Sequence, residues 1–346
     1  MRDSGRARQS PDTFYSRACA GTLLQSAVTL SSTIIKTMHI RHAAIAGVLA
    51  ASLLAGASAS AASGFVVNSD DPSTRDFDAL HRVDLSSGQA IKVGEVRVSD
   101  GAAPFADVEG LAMSPEGTLY GIDDASKTLI TIDMQSGRGF PVNGREGNTG
   151  LPRATNFDLG LTFDCNGELY ASSDSRRSLY RIDRATGVAT LIGSEGALGA
   201  QITGLAARYD GVYGLGSSGD ESLYRIDTST GQAARIGSLG ANLEFTDGGL
   251  DFDAAGQLWG VADLTGASIN AEPSVLFRID PGTGVATRVG TTLVGVESLA
   301  ITEPVCSAPD ADPMPPAIPT LDRSGLILLG ALLALLAMVT LRPGQR

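Results

Sequence analysis

One five-residue turn is written five times along this chain. Asp84-Leu-Ser-Ser-Gly88, Asp133-Met-Gln-Ser-Gly137, Asp183-Arg-Ala-Thr-Gly187, Asp227-Thr-Ser-Thr-Gly231 and Asp280-Pro-Gly-Thr-Gly284 all have the form Asp-x-x-Ser/Thr-Gly. Their aspartates recur at intervals of 49, 50, 44 and 53 residues. Recurrence at that period is the mark of a repeat architecture, in which each unit covers the hydrophobic face of the next.

Each turn follows a short alternating strand, such as Leu179-Tyr-Arg-Ile182 or Leu276-Phe-Arg-Ile279, and precedes another, such as Val285-Ala-Thr-Arg-Val289. The pattern predicts a hairpin. Aspartate accepts hydrogen bonds from the backbone two residues on, and glycine takes the left-handed conformation that closes the loop. These five aspartates are therefore expected to build turns rather than to bind metal. A second hairpin lies upstream of the turn, as in Gly110–Gly121 and Gly160–Ala171. Each unit then reads as four antiparallel strands, a to d, which is one blade of a β-propeller.

Four complete blades are predicted over 108–144, 157–193, 202–237 and 246–290. Residues 65–96 supply strands b, c and d of a fifth, and 296–301 supply its strand a. The expected fold is all-β: a five-bladed propeller over 64–304, closed by pairing the C-terminal strand with the N-terminal blade. Closure removes exposed sheet edges.

The flanks read as addresses. Residues 1–37 lack periodicity and are expected to be an extension upstream of the true start, or else a long targeting segment. From Met38 the chain has a short basic stretch, an apolar run over 43–56 and small residues at Ala57-Ser-Ala59 and Ala59-Ser-Ala61. This is the pattern of a secretory signal peptide over 38–61. Residues 305–317 are rich in Pro and Asp and read as a linker. An apolar run of about 17 residues then ends in Arg342 and Arg346, near the minimum length for a transmembrane helix with a cytoplasmic end.

That last segment opens with Ile318, Pro319, Thr320 and Leu321, and Gly325 follows. It resembles the IPTL-CTERM sorting signal of Gram-negative bacteria: Ile-Pro-Thr-Leu, Trp-Gly, a hydrophobic helix and a basic tail. Ser324 stands where the pattern has Trp. The resemblance over 318–346 implies an exosortase-type processing protease as a partner, with cleavage near Pro319-Thr320. It implies export to the envelope, cell surface or exterior, with the C-terminal helix as the initial inner-membrane anchor. A plain C-terminal anchor is the alternative.

Between residues 65 and 317 there are 17 Lys and Arg against 35 Asp and Glu, a net of −18. Such a surface repels phosphate backbones, so nucleic acid is not an expected partner. Cys165, in an a–b turn, and Cys306, after the last strand, fall on the same face of the disc in non-adjacent blades. They are the candidates for a disulfide, which an exported location permits.

Catalytic signatures are sparse. His81 is the one histidine after the signal peptide, in a strand-c slot held elsewhere by Tyr180, Tyr224 and Phe277. It is expected to pack as a ring, which leaves no Ser-His-Asp or Cys-His centre. The a–b and c–d turns share one face of the disc. The long irregular b–c and d–a loops share the other, and loops on a rigid frame are where function concentrates. Four carboxylates, Glu109, Asp158, Asp247 and Glu297, stand near the start of strand a in four blades. They are candidates for convergence on the axis, where they would be solvated or backbone-capping groups, a structural Ca²⁺ site or a catalytic metal site. The expected role is a non-enzymatic binding or structural protein of the envelope or extracellular matrix, with an unknown surface ligand. The alternative is a metal-dependent hydrolase or lactonase.

Overall fold

The computed structural model describes residues 62–308, except 69–77, 100–101, 104, 154–156, 241 and 265–271. The expected extension, the signal peptide and the sorting segment lie outside the described residues. Among the described residues no helix is long and apolar enough to cross a membrane.

Among the described residues, nineteen strands form five antiparallel sheets. Blade 1 holds β1 (Ser63–Asn68), β2 (Ala79–Asp84) and β3 (Ala90–Glu95). Blade 2 holds β4 (Val108–Met113), β5 (Leu119–Asp123), β6 (Thr128–Ile132) and β7 (Gly139–Pro141). Blade 3 follows with β8 (Leu159–Phe163), β9 (Leu169–Ser173), β10 (Ser178–Ile182) and β11 (Ala189–Ile192). Blade 4 has β12 (Ile202–Arg208), β13 (Gly211–Gly216), β14 (Ser222–Ile226) and β15 (Ala233–Ser238). Blade 5 has β16 (Phe245–Phe252), β17 (Leu258–Leu264), β18 (Pro273–Ile279) and β19 (Ala286–Val294).

The ring closes as the repeat count predicts. Residues 296–300 return beside β1, with bridges Phe65 to Ala300 and Asn68 to Val296. Phe65 N donates to Ala300 O at 2.6 Å, and Ala300 N donates back at 2.9 Å. The ladder is broken between them because the Ser298 hydroxyl, rather than a carbonyl, accepts from Val67 N at 3.1 Å.

Apolar burial is divided by seam. Blades 1 and 2 share a cluster containing Phe65, Leu80, Phe105 and Val108. Blades 2 and 3 share Ile122, Phe157, Phe163 and Tyr180. Blades 3 and 4 share Tyr170, Leu179, Leu205 and Tyr224. Blades 4 and 5 share Tyr213, Phe245, Phe252 and Phe277. The fifth seam joins Trp259 and Leu276 of blade 5 to Val66 and Val83 of blade 1. The inner strands, such as β8 and β9, are buried on both faces because every blade is sandwiched between two others, while the outer strands, such as β11 and β15, are largely exposed.

Two recurring glycines set how closely the blades approach. The turn Asp133–Gly137 is an Asx turn: Asp133 Oδ1 accepts from Gln135 N, Ser136 N and Ser136 Oγ at 3.1, 2.8 and 2.7 Å. Gly137 has φ +77°, and a Cβ there would lie 2.6 Å from Gly94 C in the outer strand of blade 1. The repeated turn is thus also a joint between blades. On the inner strands, a Cβ at Gly160 of β8 would lie 2.5 Å from Thr203 O of β12. Glycine here lets neighbouring backbones meet around a narrow axis.

The chain does not leave the ring where the linker was expected to begin. After residue 300 it crosses the turn-face end of the channel. Ile301 N donates to Asp251 Oδ2 at 2.6 Å, and Tyr209 N donates to Val305 O at 2.6 Å. Cys306 is bonded to Cys165 in the a–b turn of blade 3, with Cα atoms 5.3 Å apart. Residues 301–306 therefore form a strap, with Met113, Phe163, Ala207 and Asp251 lining the channel beneath Thr302 and Pro304.

Candidate functional site

The opposite end of the channel is acidic, and the strand ends explain why. β4, β8 and β16 all start at the loop face, and β5, β9 and β17 return there. Carboxylates at the starts of the a strands therefore meet those at the ends of the b strands. Glu109, Asp158, Asp247 and Glu297 all stand at this end, but they do not form one group. Glu109 gathers with Asp107 and Asp124, and Asp158 and Asp247 gather with Asp174. In each group one oxygen per residue lies within 4.8 Å of the others. Glu297 is buried and acts on Glu109 through its charge.

The two groups differ in how their charge is handled. In blade 2 the buried Lys127 ammonium pairs with Asp124 and sits 4.8 Å over the Phe157 ring. Asp124 also accepts from Phe157 N at 3.2 Å. Burial still outweighs these partners and raises the Asp124 carboxyl. Glu109 accepts from Leu159 N. Burial, followed by the charges of Asp107, Asp124, Asp158 and Glu297, holds its carboxyl well above the usual range.

In blade 3, Asp174 is 4% exposed, and its Oδ1 has no hydrogen-bond partner among the described residues. Burial, then the charge of Asp158 and a hydrogen bond with it, then Asp247, push the Asp174 carboxyl up to about 9. Asp158 has φ +44°, a left-handed conformation that aspartate tolerates better than most residues. Its carbonyl accepts from Asp174 N at 3.3 Å, as the Asp107 carbonyl accepts from Asp124 N at 2.7 Å in blade 2.

Asp174, Asp124 and Asp107 were not among the four carboxylates singled out from the sequence. A signal for two of them existed. Asp124, Asp174 and Asp263 occupy the same register, one residue beyond the partner of the inner-strand glycine neighbour, in blades 2, 3 and 5.

Space in the channel is small. The segment between Glu109, Thr203 and Glu297 holds a cavity of about 10 Å³. That is room for a single water or ion, not for an organic substrate. His81 is away from this end, buried in β2, with Nδ1 3.0 Å from Ala79 O. A larger cleft on the loop face, about 320 Å³, lies beside Asp220, Glu221, Arg235, Asn242 and Glu244. Another depression, about 630 Å³, is an open groove by the turns of blade 3. Its Arg181 and Arg184 already face Glu168 and Glu116, at 3.9 and 2.9 Å, and it gathers no convergent set of reactive groups.

Residues 141–262, from the end of blade 2 into blade 5, match the family described as "Repeat of unknown function (DUF6923)". Residues 316–343 match the IPTL-CTERM motif. No curated protein matches the sequence. Among solved structures the chain is similar to virginiamycin B lyase from Staphylococcus aureus, at 15% identity and a TM-score of 0.35, covering 61% of this chain and 62% of that one. It thus spans less than two thirds of that lyase. The XC5397 gluconolactonase from Xanthomonas campestris is similar at 14% identity and a TM-score of 0.38, covering 64% of this chain and 74% of that one. A chain of a nidogen/laminin complex is similar at 12% identity and a TM-score of 0.44, covering 70% of this chain and all of that one. At these identities and scores none of them informs what this chain binds or does. The IPTL-CTERM motif implies exosortase-type processing and points to export and sorting to the cell surface. This chain is a five-bladed β-propeller that carries a DUF6923 repeat and ends in an IPTL-CTERM motif.

Proposed function

We propose that the protein is a surface-held, non-enzymatic binding module whose loop face is the contact surface. The observation that supports this reading is the position of the strap. The strap and its disulfide hold residues 301–306 on the turn face, opposite the acidic mouth. The loop face, opposite the strap, is the side that meets a partner. It offers the acidic mouth and the 320 Å³ cleft beside Asp220, Glu221 and Glu244. Such a surface favours a ligand that carries positive charge or arrives with a divalent cation.

The hydrolase alternative needs room for a substrate; the channel between Glu109, Thr203 and Glu297 holds a cavity of only about 10 Å³, so a substrate would have to sit outside it, at the loop-face mouth. Two measurements on the purified full chain test the reading. The first is turnover of a panel of lactones and phosphoesters. The second is retention on extracellular polymer prepared from the producing cells. Retention without turnover is expected. Turnover abolished by Asp174→Asn would overturn the binding role in favour of the enzyme.

A further inference from the structure

We propose that Asp158, Asp174 and Asp247 form a divalent-cation site of the Ca²⁺ type that pins blades 3 and 5 together at the loop-face end of the channel. The site lies in the acidic mouth of the proposed contact surface, and its occupancy is measured with the cation alone, so that its failure and the failure of the binding role are distinguishable.

The spacing fits one ion. Ca²⁺ sits about 2.3–2.6 Å from its oxygen ligands, so two oxygens on opposite sides of it are about 5 Å apart. One oxygen from each of the three aspartates lies within 4.8 Å of the other two. All three ligands are carboxylates, with no His or Cys in the group, and an all-oxygen set selects a hard cation. Ca²⁺ tolerates an irregular shell completed by water, whereas Mg²⁺ demands near-ideal octahedral geometry.

The second observation is Asp174 itself. It is 96% buried, being 4% exposed, yet its Oδ1 has no hydrogen-bond partner among the described residues. Buried polar atoms in folded proteins are satisfied by some partner, and an unsatisfied one calls for an explanation such as an ion. Asp158 and Asp247 are half-buried, which leaves a path for an ion to enter from the loop face.

The repeat supplies an internal comparison. Asp124 of blade 2 and Asp174 of blade 3 are equivalent positions. Three residues after each comes a basic residue in the left-handed conformation, Lys127 at φ +55° and Arg177 at φ +48°. Lys127 turns inward, is 1% exposed and places its ammonium on Asp124. Arg177 is exposed, and in its place Asp247 of blade 5 adds another negative charge. Blade 2 carries its own cation, while blade 3 has the carboxylates without one. A bound divalent ion does for Asp174 what the lysine ammonium does for Asp124.

The test is calcium titration of the chelator-treated full chain, read by calorimetry and by thermal unfolding. The account expects one Ca²⁺ per chain and a rise in Tm of about 5–10 °C at saturating calcium. Asp174→Asn and Asp247→Asn should each abolish most of that rise, while Asp280→Asn on the turn face should keep it. If Asp174→Asn fails to fold, Asp247→Asn at the half-exposed ligand decides. Absence of binding heat and of a Tm shift in the unaltered chain would overturn the site, as would a full shift in Asp247→Asn. An equal shift with Mg²⁺ would overturn the Ca²⁺ assignment.

Discussion

Cys306 is joined to Cys165 across 141 residues of sequence, and the bond ties the end of the closing strand to the inner turn of a blade that does not touch that strand's own. Closing a loop of that length removes a large chain entropy from the unfolded state, about 5 kcal/mol on the chain-entropy account. Replacing both cysteines by serine should therefore lower stability by about 2–5 kcal/mol, measured by denaturant unfolding without reductant. Limited proteolysis should then cut between residues 301 and 308, because the strap loses its outer fixing point. An unchanged unfolding midpoint would mean that the strap is held by its backbone contacts alone.

The turn glycines make a sharper prediction about the seams. Gly137 and Gly144 both have positive φ, +77° and +63°. A Cβ at Gly144 meets nothing within 4 Å, whereas one at Gly137 meets the Gly94 backbone at 2.6 Å. Gly144→Ala should cost about 1 kcal/mol, the backbone penalty alone. Gly137→Ala should cost about 2–4 kcal/mol, because the blade 1–2 joint must also open. Equal losses in the two variants would show that the turns do not join the blades.

Lys127 gives a third. It is buried with Asp124 in an ion pair. Removing one partner of a buried pair leaves an uncompensated charge, typically a loss of about 3–5 kcal/mol. Lys127→Met should show a loss of that size, and adding Asp124→Leu should recover part of it. A loss under about 1 kcal/mol in Lys127→Met would place the pair in contact with water.

The pH dependence follows from Asp251 under the strap. Desolvation raises its carboxyl to about 7, with the charge of Asp253 adding to the rise and the amides of Ile301, Phe252 and Thr302 opposing it. The folded state thus binds a proton more tightly than the unfolded chain, whose aspartates titrate near 3.8. This contribution to stability is complete below about pH 4 and is lost as pH rises through about 7. Asp227 has the opposite sign: hydrogen bonds from the Ser229 hydroxyl and amide hold it down to about 2, so its contribution is present above about pH 4 and is lost as pH falls through about 2. Melting curves in EDTA should show Tm falling between pH 5 and 8, and Asp251→Ala should flatten part of that fall. A Tm that rises across the same range would contradict the enclosure of Asp251.

Much of the fold could be read from the turns. Aspartate and glycine at fixed spacing specify a local hairpin, so strand c, its turn and strand d follow from sequence alone. The count of five gave the ring, and the missing strand a of the first blade pointed to residues 296–301. The site was less legible because convergence at an axis is a tertiary property. Glu109 and Asp158 sit at similar sequence positions, yet they fall into different groups because the b strand of each blade supplies a different neighbour. Asp174 looked like an acidic loop residue until β9 buried it. Lys127 is hidden for the same reason: a lysine in a b–c loop is expected in water, and only the Asp124 carboxylate and the Phe157 ring draw it in. Val305 and Cys306, the last residues of the strap, read as the start of the linker because they have no strand pattern of their own.

The most direct test of the account compares the two faces of the disc. Charge reversal at Asp220 and Glu244, beside the loop-face cleft, is set against charge reversal at Asp133 and Asp183 on the turns. The readout is retention of the full chain on extracellular polymer, after unfolding curves show that each variant is folded. The account predicts that the loop-face pair lowers retention at least about tenfold, or about 1.4 kcal/mol, while the turn-face pair leaves it unchanged. Loss confined to the turn-face pair would contradict the assignment of the loop face as the working surface.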